Sequence, residues 1–174
     1  MNKRIICFCF FFLFITSKLA FCKENKLIEN QLIDVVKIIN KNSNEKNFNK
    51  LVNYLPPHLI ASMALRLGKT NDELREDFKK RLTTQIKNDP TVHYTLSENT
   101  IYYDKTSDGQ IFALIPTNIE DSKKTIHKQS LAIYENNNWY VIYGGAQAVQ
   151  NQLFTLIYPS FGEIHFQPDE IIKK

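Results

Sequence analysis

This sequence of 174 residues is short of cysteine, glycine and unbalanced charge, and each shortage removes a class of function. Its three cysteines, Cys7, Cys9 and Cys22, all fall within the first 22 residues. The chain beyond them has no thiol, which excludes disulfide staples, zinc–thiolate sites and a cysteine nucleophile there. Of its five glycines, the adjacent pair Gly144-Gly145, followed by Gln147, has neither the spacing of a phosphate-binding loop nor the serine of a nucleophile elbow. The four histidines, His58, His93, His127 and His165, include no pair at helical i, i+4 spacing, so no zinc helix is spelled out. His93 and His127 fall on neighbouring parts of the expected sheet. No catalytic residue, metal or cofactor is expected from these patterns. Setting aside Lys3, Arg4 and Lys18 leaves 19 basic residues against 18 acidic ones. That balance offers no electrostatic footprint for nucleic acid.

The three omitted charges belong to the first feature that is present. Lys3 and Arg4 precede an apolar run from Ile5 to Thr16, and Ala20-Phe21-Cys22 places small residues for cleavage after Cys22. That is the layout of a secretory signal peptide, and the run is shorter than the roughly 20 residues a bilayer span needs. Residues 1–22 are thus expected to be removed, leaving 23–174 as a single periplasmic or secreted domain. The alternative is a membrane-anchored lipoprotein: Leu19-Ala20-Phe21-Cys22 imitates a lipidation signal, although bulky Phe21 stands where a small residue is usual. Membrane attachment is expected only if Cys22 is lipidated or the leader is retained. Without staples, the domain must be held by its own core, and about 150 residues suffice for that.

Periodicity divides the rest into helices followed by strands. From Glu24 to Lys41, residues Ile28, Leu32, Val35, Val36 and Ile39 form one helical stripe, broken by the polar run Asn40 to Lys46. A short helix with Phe48, Leu51, Val52 and Leu55 inward ends at Pro56-Pro57. Pro57 starts a third helix with Ile60, Met63, Ala64 and Leu67 on one face, and Gly68 stops it. Thr70-Asn71-Asp72-Glu73 is a capping box opening a fourth, carrying Leu74, Phe78, Leu82 and Ile86. After Asp89-Pro90 the period becomes two. Strands are expected at Val92–Leu96, Thr100–Asp104 and Gln110–Thr117, with Asn118–Lys124 as an exposed connection. The clearest signal is the hairpin Thr125–Gly145, TIHKQSLAIYENNNWYVIYGG, turning at Asn136, Asn137 and Asn138. On its second arm Trp139, Val141 and Tyr143 share one face, and Tyr140 and Ile142 the other. Beyond it, Ala146–Tyr158 reads as one short helix stopped by Pro159. Phe161, Ile164 and Phe166 read as an extended segment laid across the body, and Pro168–Lys174 as a fraying end.

The expected class is therefore α+β, with N-terminal helices packed on a curved antiparallel sheet of about five strands. This order resembles the nuclear-transport-factor-2-like superfamily, the cone-shaped fold shared with ketosteroid isomerases. The resemblance rests on the first helix with its polar break, on FNKLVNYLPPHLI, and on NNNWYVIYG as the last long strand. Two departures are the extra helical material over Pro57–Lys87 and the tail beyond Pro159. The resemblance implies a pocket between sheet and helices, used by members for isomerisation, hydrolysis or ligand binding, so it does not select a reaction. None of Asp104, Asp108 and Asp121 matches the family's catalytic aspartates.

Two expectations concern function. Tyr94, Tyr102, Tyr103, Tyr134, Trp139, Tyr140 and Tyr143 all come from strands and form a candidate pocket or interface, against the plainer reading of core packing. IFALI and WYVIY are apolar on both faces, so the outer sheet face needs a cover: the C-terminal segment, or a second copy in a homodimer. The favoured reading is an exported non-catalytic binding or accessory domain with a small apolar ligand. One alternative is a small-molecule isomerase or hydrolase using a pocket tyrosine and a carboxylate within hydrogen-bond reach of it. The other is a cell-envelope component tethered by an uncleaved leader.

Overall fold

The structure is a computed structural model that describes residues 26–174, apart from the side chain of Ile86. The expected leader, its cleavage and lipidation at Cys22 lie outside the described residues. Among the described residues no helix is long and apolar enough to cross a membrane. The chain forms two units, Met1–Asp34 and Val35–Lys174. Helix α1 (26–44) runs through the division, with Leu32 buried in the first unit and Val36 and Ile39 in the second.

The helix passes the polar break expected at Asn40. Asparagine in a helix usually competes for the backbone, but here both amides are used. Asn42 Nδ2 donates to the Ile38 carbonyl at 2.7 Å. Asn40 acts as a strand partner for Leu96, donating to its carbonyl at 2.8 Å and accepting its N–H at 2.9 Å.

The next helices follow their sequence signals closely. Helix α2 (Phe48–Leu51) continues into a 3₁₀ turn, Val52–Tyr54. Helix α3 (Pro57–Leu67) opens with proline, whose missing N–H costs nothing in the first turn, and ends at Gly68 with φ +63°. Leu67, expected inward, is exposed because the left-handed stop follows it directly. Helix α4 (Asn71–Asn88) begins with the capping box: Glu73 N–H donates to Thr70 Oγ1 at 3.2 Å, and Thr70 N–H to Glu73 Oε2 at 2.7 Å.

Six strands then form one strongly curled antiparallel sheet, as the α+β expectation requires. They are β1 (His93–Leu96), β2 (Tyr102–Lys105), β3 (Ile111–Glu120), β4 (Lys124–Glu135), β5 (Asn138–Ile142) and β6 (Glu170–Lys173). The order is β1-β3-β4-β5, with β2 also on β3 and β6 also on β4. The connection expected over Asn118–Lys124 shrinks to 121–123, because β3 and β4 pair out to Glu120 opposite Thr125. The hairpin turn is two residues, Asn136 and Asn137, with φ of 52° and 61°; Asn138 already belongs to β5.

Pro116 sits in a central strand, where a missing N–H would normally break the ladder. Its carbonyl accepts from Ser97 N–H at 2.8 Å in the notch between β1 and β2. The proline nitrogen faces that same notch, where no strand asks for a donor.

Both sheet faces are buried. One carries Ala113, Ile115, Ala132, Trp139 and Val141, with the Val52–Tyr54 turn against β5. The other carries Phe112, Leu114, Leu131, Ile133 and Ile142, packed with Leu59 of α3 and with Val149, Phe154, Tyr158 and Phe161 of the tail. The chain's own C-terminal segment, one of the two covers expected for the outer face, packs against it.

That tail is more ordered than its sequence suggests. It forms α5 (Ala146–Val149), α6 (Gln152–Ile157), a 3₁₀ turn (Pro159–Glu163) that Pro159 starts, and β6 where fraying was expected. Its path begins at Gly145, with φ +49°, whose backbone approaches β4 so closely that a Cβ would lie 1.9 Å from the Gln129 carbonyl oxygen.

Replacing Asn40 by alanine should leave Leu96 with two unmatched backbone groups and cost about 1–3 kcal/mol. Urea unfolding at neutral pH measures this; an unchanged midpoint would contradict the assigned role of Asn40.

Candidate functional site

A concavity lies on the tail-covered face. Phe112, Leu114 and Pro116 share that face by the two-residue period of β3, and Gln129 of β4 stands opposite Pro116. The tail crosses over them as a strap. Phe161 anchors it in the core, in edge-to-face contact with Phe112 at 5.9 Å. Ser160 Oγ donates to Asp108 Oδ2 at 2.8 Å, and Gln167 N–H to Gln129 Oε1 at 2.7 Å. Between these fastenings the strap stands off the sheet and leaves a groove of about 590 Å³. Its apolar lining is Phe112, Leu114 and Pro116 of the sheet with Ile164 of the strap; Tyr102, Asp104, Lys105, Glu163, His165 and Gln167 are among its polar walls.

Tyr102 and Asp104 are two apart on β2, hence on one face, and the tyrosine hydroxyl donates to Asp104 Oδ2 at 2.6 Å. Asp104 Oδ1 accepts the Lys105 N–H at 2.8 Å. These bonds, the Tyr102 one first, hold the Asp104 carboxyl below its ordinary range, while the bond to Asp104 pushes the Tyr102 hydroxyl up. Next to the groove, Asp108 accepts from both Thr106 and Ser160, which lowers its pKa in the same way.

A second, more open hollow of about 520 Å³ lies beside the hairpin tip, lined by His58, Gln110, Glu135 and Tyr158 among others. Tyr158 Oη donates to Glu135 Oε2 at 2.9 Å, and the His58 backbone N–H donates to Glu135 Oε1 at 3.1 Å. The His58 and Tyr158 rings meet edge to face at 5.5 Å. Burial first, then the Glu135 charge and hydrogen bond, raises the Tyr158 hydroxyl well above its ordinary value. Glu135 thereby ties the hairpin to the first turn of α3, whose free N–H groups welcome an anion, and to the end of α6.

The seven aromatic residues singled out in the sequence do not form one cluster. Tyr94, Tyr103, Tyr134 and Trp139 lie on the face with Ile115 and Val141, Tyr102 and Tyr140 lie on the opposite one, and Tyr143 follows the end of β5. Trp139 is fully buried between Tyr103 (6.2 Å) and Tyr134 (5.2 Å), which is core packing. Of the seven, only Tyr102 lines the groove. Tyr143 has a buried hydroxyl with no hydrogen-bond partner among the described residues, and burial raises its pKa strongly.

His93 and His127 do not meet. His93 stands opposite Glu120 and His127 opposite Asn118, with β3 between them, and His127 Nδ1 is 2.7 Å from Asn118 Oδ1. Among the described residues no group of three or more His, Cys, Asp or Glu is placed to hold a metal ion. The groove's tail residues and the Glu135–Tyr158 bond had no local signal, since both depend on where the tail returns. The shared face of Phe112, Leu114 and Pro116 was legible from the strand period.

Two tyrosine-to-phenylalanine changes should have opposite signs. Tyr158→Phe loses a bond to a carboxylate and should destabilise by about 1–2 kcal/mol, whereas Tyr143→Phe removes an unmatched buried hydroxyl and should stabilise by about 1 kcal/mol. Both hydroxyls have folded pKa values raised above the ordinary 10.0. As pH rises from that value toward the raised ones only the unfolded chain ionises, so the stabilisation from Tyr158 is lost over that window and the cost of the buried Tyr143 hydroxyl grows over it. Urea midpoints for the three proteins, at neutral and alkaline pH, check both the signs and this window. No family model matches the chain, and neither a curated protein nor a solved structure matches it.

Proposed function

We propose that the chain is an exported, non-catalytic binding module of the nuclear-transport-factor-2-like kind, and that it takes a small, largely apolar ligand in the groove beneath the strap. The observation that carries this reading is a groove of about 590 Å³ with an apolar floor and polar walls, within the roughly 300–1,000 Å³ of small-molecule sites. The order of helices, curled antiparallel sheet and tryptophan-bearing hairpin supports the family assignment.

The chemistry of the walls favours binding over proton transfer. A general base near neutral pH needs a raised carboxyl pKa, and a general acid needs a lowered hydroxyl pKa. In the Tyr102–Asp104 pair each shift runs the other way. The Glu135–Tyr158 pair meets the distance condition for an isomerase or hydrolase, and so supplies the one observation favouring that second reading. Both Glu135 oxygens are nevertheless occupied, by Tyr158 and by the His58 N–H, and the Tyr158 hydroxyl is pushed away from acidity.

N-phenyl-1-naphthylamine, a neutral fluorophore with an apolar body, is a suitable probe. Its emission should rise saturably on titration. Tyr102→Ala removes an exposed wall and should weaken binding about tenfold, equivalent to about 1.4 kcal/mol, while Tyr140→Ala, outside the groove lining, should not. Absence of saturable binding, or equal affinity in Tyr102→Ala, would count against the groove as the site.

A further inference from the structure

The sheet faces are covered, but β6 is one of the strands that leaves an edge of the sheet without a strand partner among the described residues. Strand β6 is exposed at all four positions, and among the described residues no strand pairs its outer edge. Two of those positions are isoleucines, Ile171 at 58% and Ile172 at 47% exposure.

The ladder fixes which backbone groups face outward. Around the two-residue turn, Glu135 and Asn138 form a hydrogen-bonded pair, so Glu135 and every second residue back along β4 aim their N–H and C=O groups toward the side shared by β5 and β6. Thr125 and His127 belong to that set and stand opposite Ile172 and Glu170. Glu170 and Ile172 therefore use their backbone groups inward. Ile171 and Lys173, with Asp169 just ahead of the strand, present theirs to the outside.

We propose that this edge pairs with itself: β6 adds antiparallel to β6 of a second copy of the chain, about a two-fold axis at Ile171, joining two sheets into one. In that register Ile171 faces the partner's Ile171, and Asp169 and Lys173 face the partner's Lys173 and the partner's Asp169. Every outward backbone group of the strand then has its match. A two-fold perpendicular to the sheet permits only registers centred on one residue. Centring on Ile172 instead would call on Lys174 to face the partner's Glu170, but Lys174 Nζ already donates to Glu120 at 2.7 Å and to the Asp121 carbonyl at 3.0 Å.

Two further features agree. Tyr94, Ile119, Ile126 and Ile171 stand side by side across β1, β3, β4 and β6 as one apolar row that runs out at the open edge. A second Ile171 continues it. Exposed edges are usually guarded by charge, and here the charges are ordered, acidic at Asp169-Glu170 and basic at Lys173-Lys174. Antiparallel approach brings unlike charges together, whereas parallel in-register approach sets like on like. This interface is distinct from the outer sheet face, which the tail occupies. Its few residues place it in the small, reversible class.

Sedimentation equilibrium over a wide range of protein concentration tests the register. The wild type should follow a monomer–dimer equilibrium. Asp169→Lys and Lys173→Asp should each weaken the dimer at least about tenfold, since each places like charges opposite one another twice. The double variant Asp169→Lys/Lys173→Asp should return to near wild-type association. Circular dichroism and melting temperature, expected unchanged in all three, show that the fold is intact. A wild type that stays monomeric, single variants that associate as before, or a double variant that stays weak would each overturn the proposal. Self-association through the leader would leave the charge swap without effect, and so would also overturn it.

Discussion

The burial of the β3–β4 pair on both faces is the constraint from which the rest of the second unit follows. These two strands are the longest in the sheet and are paired from Phe112–Ile133 to Glu120–Thr125. Their period-two pattern puts apolar side chains on each side: Ala113, Ile115 and Ala132 on one, Phe112, Leu114, Leu131 and Ile133 on the other. An antiparallel pair usually leaves one side to water; this one does not. Trp139, Val141 and the turn at Val52–Tyr54 belong to the first side, and Leu59 with the whole C-terminal segment belongs to the second. Phe161, buried between Phe112, Phe154 and Tyr158, is the residue that commits the tail to that role.

The same demand creates the groove. The strap descends to bury Phe161 and is fastened again to β4 where the Gln167 N–H donates to Gln129. Between Ser160 and Gln167 it bridges over Phe112, Leu114 and Pro116, and the polar residues of β2 close the remaining side. In that wall the Tyr102 hydroxyl donates to Asp104, which also accepts the Lys105 N–H. Such pairs hold a surface in shape and stabilise the anion and the neutral phenol together, the opposite of what proton transfer requires.

Much of this fold was legible wherever a signal is local. The proline start and glycine stop of α3, the Thr70–Glu73 box and the asparagine turn all act within a few residues, and the structure follows them. The alternation of IFALI announced that both faces needed covers. Signals failed where the deciding partner is distant. Asn40 looks like a helix breaker until Leu96 is beside it. Residues 118–124 look like a loop because their strand pairing is polar at Asn118 and His127. Four residues of β6 next to charges have no periodicity of their own, and Lys124–His127 supply their ladder. The aromatic set misled because strand register sends neighbours such as Tyr102 and Tyr103 to opposite faces, a division that composition cannot show.

If the tail is an integral cover of the sheet, it must open only when the sheet does. Native-state hydrogen exchange tests this directly at Tyr158, whose N–H donates to Phe154 at 2.8 Å, and at Phe161, whose N–H donates to Tyr158 at 3.2 Å. These amides should exchange with the same free energy of opening as the β3–β4 ladder, since buried side chains on both sides of one core unfold together. Exchange at the tail far faster than in β3 and β4, with the ladder still protected, would contradict the account.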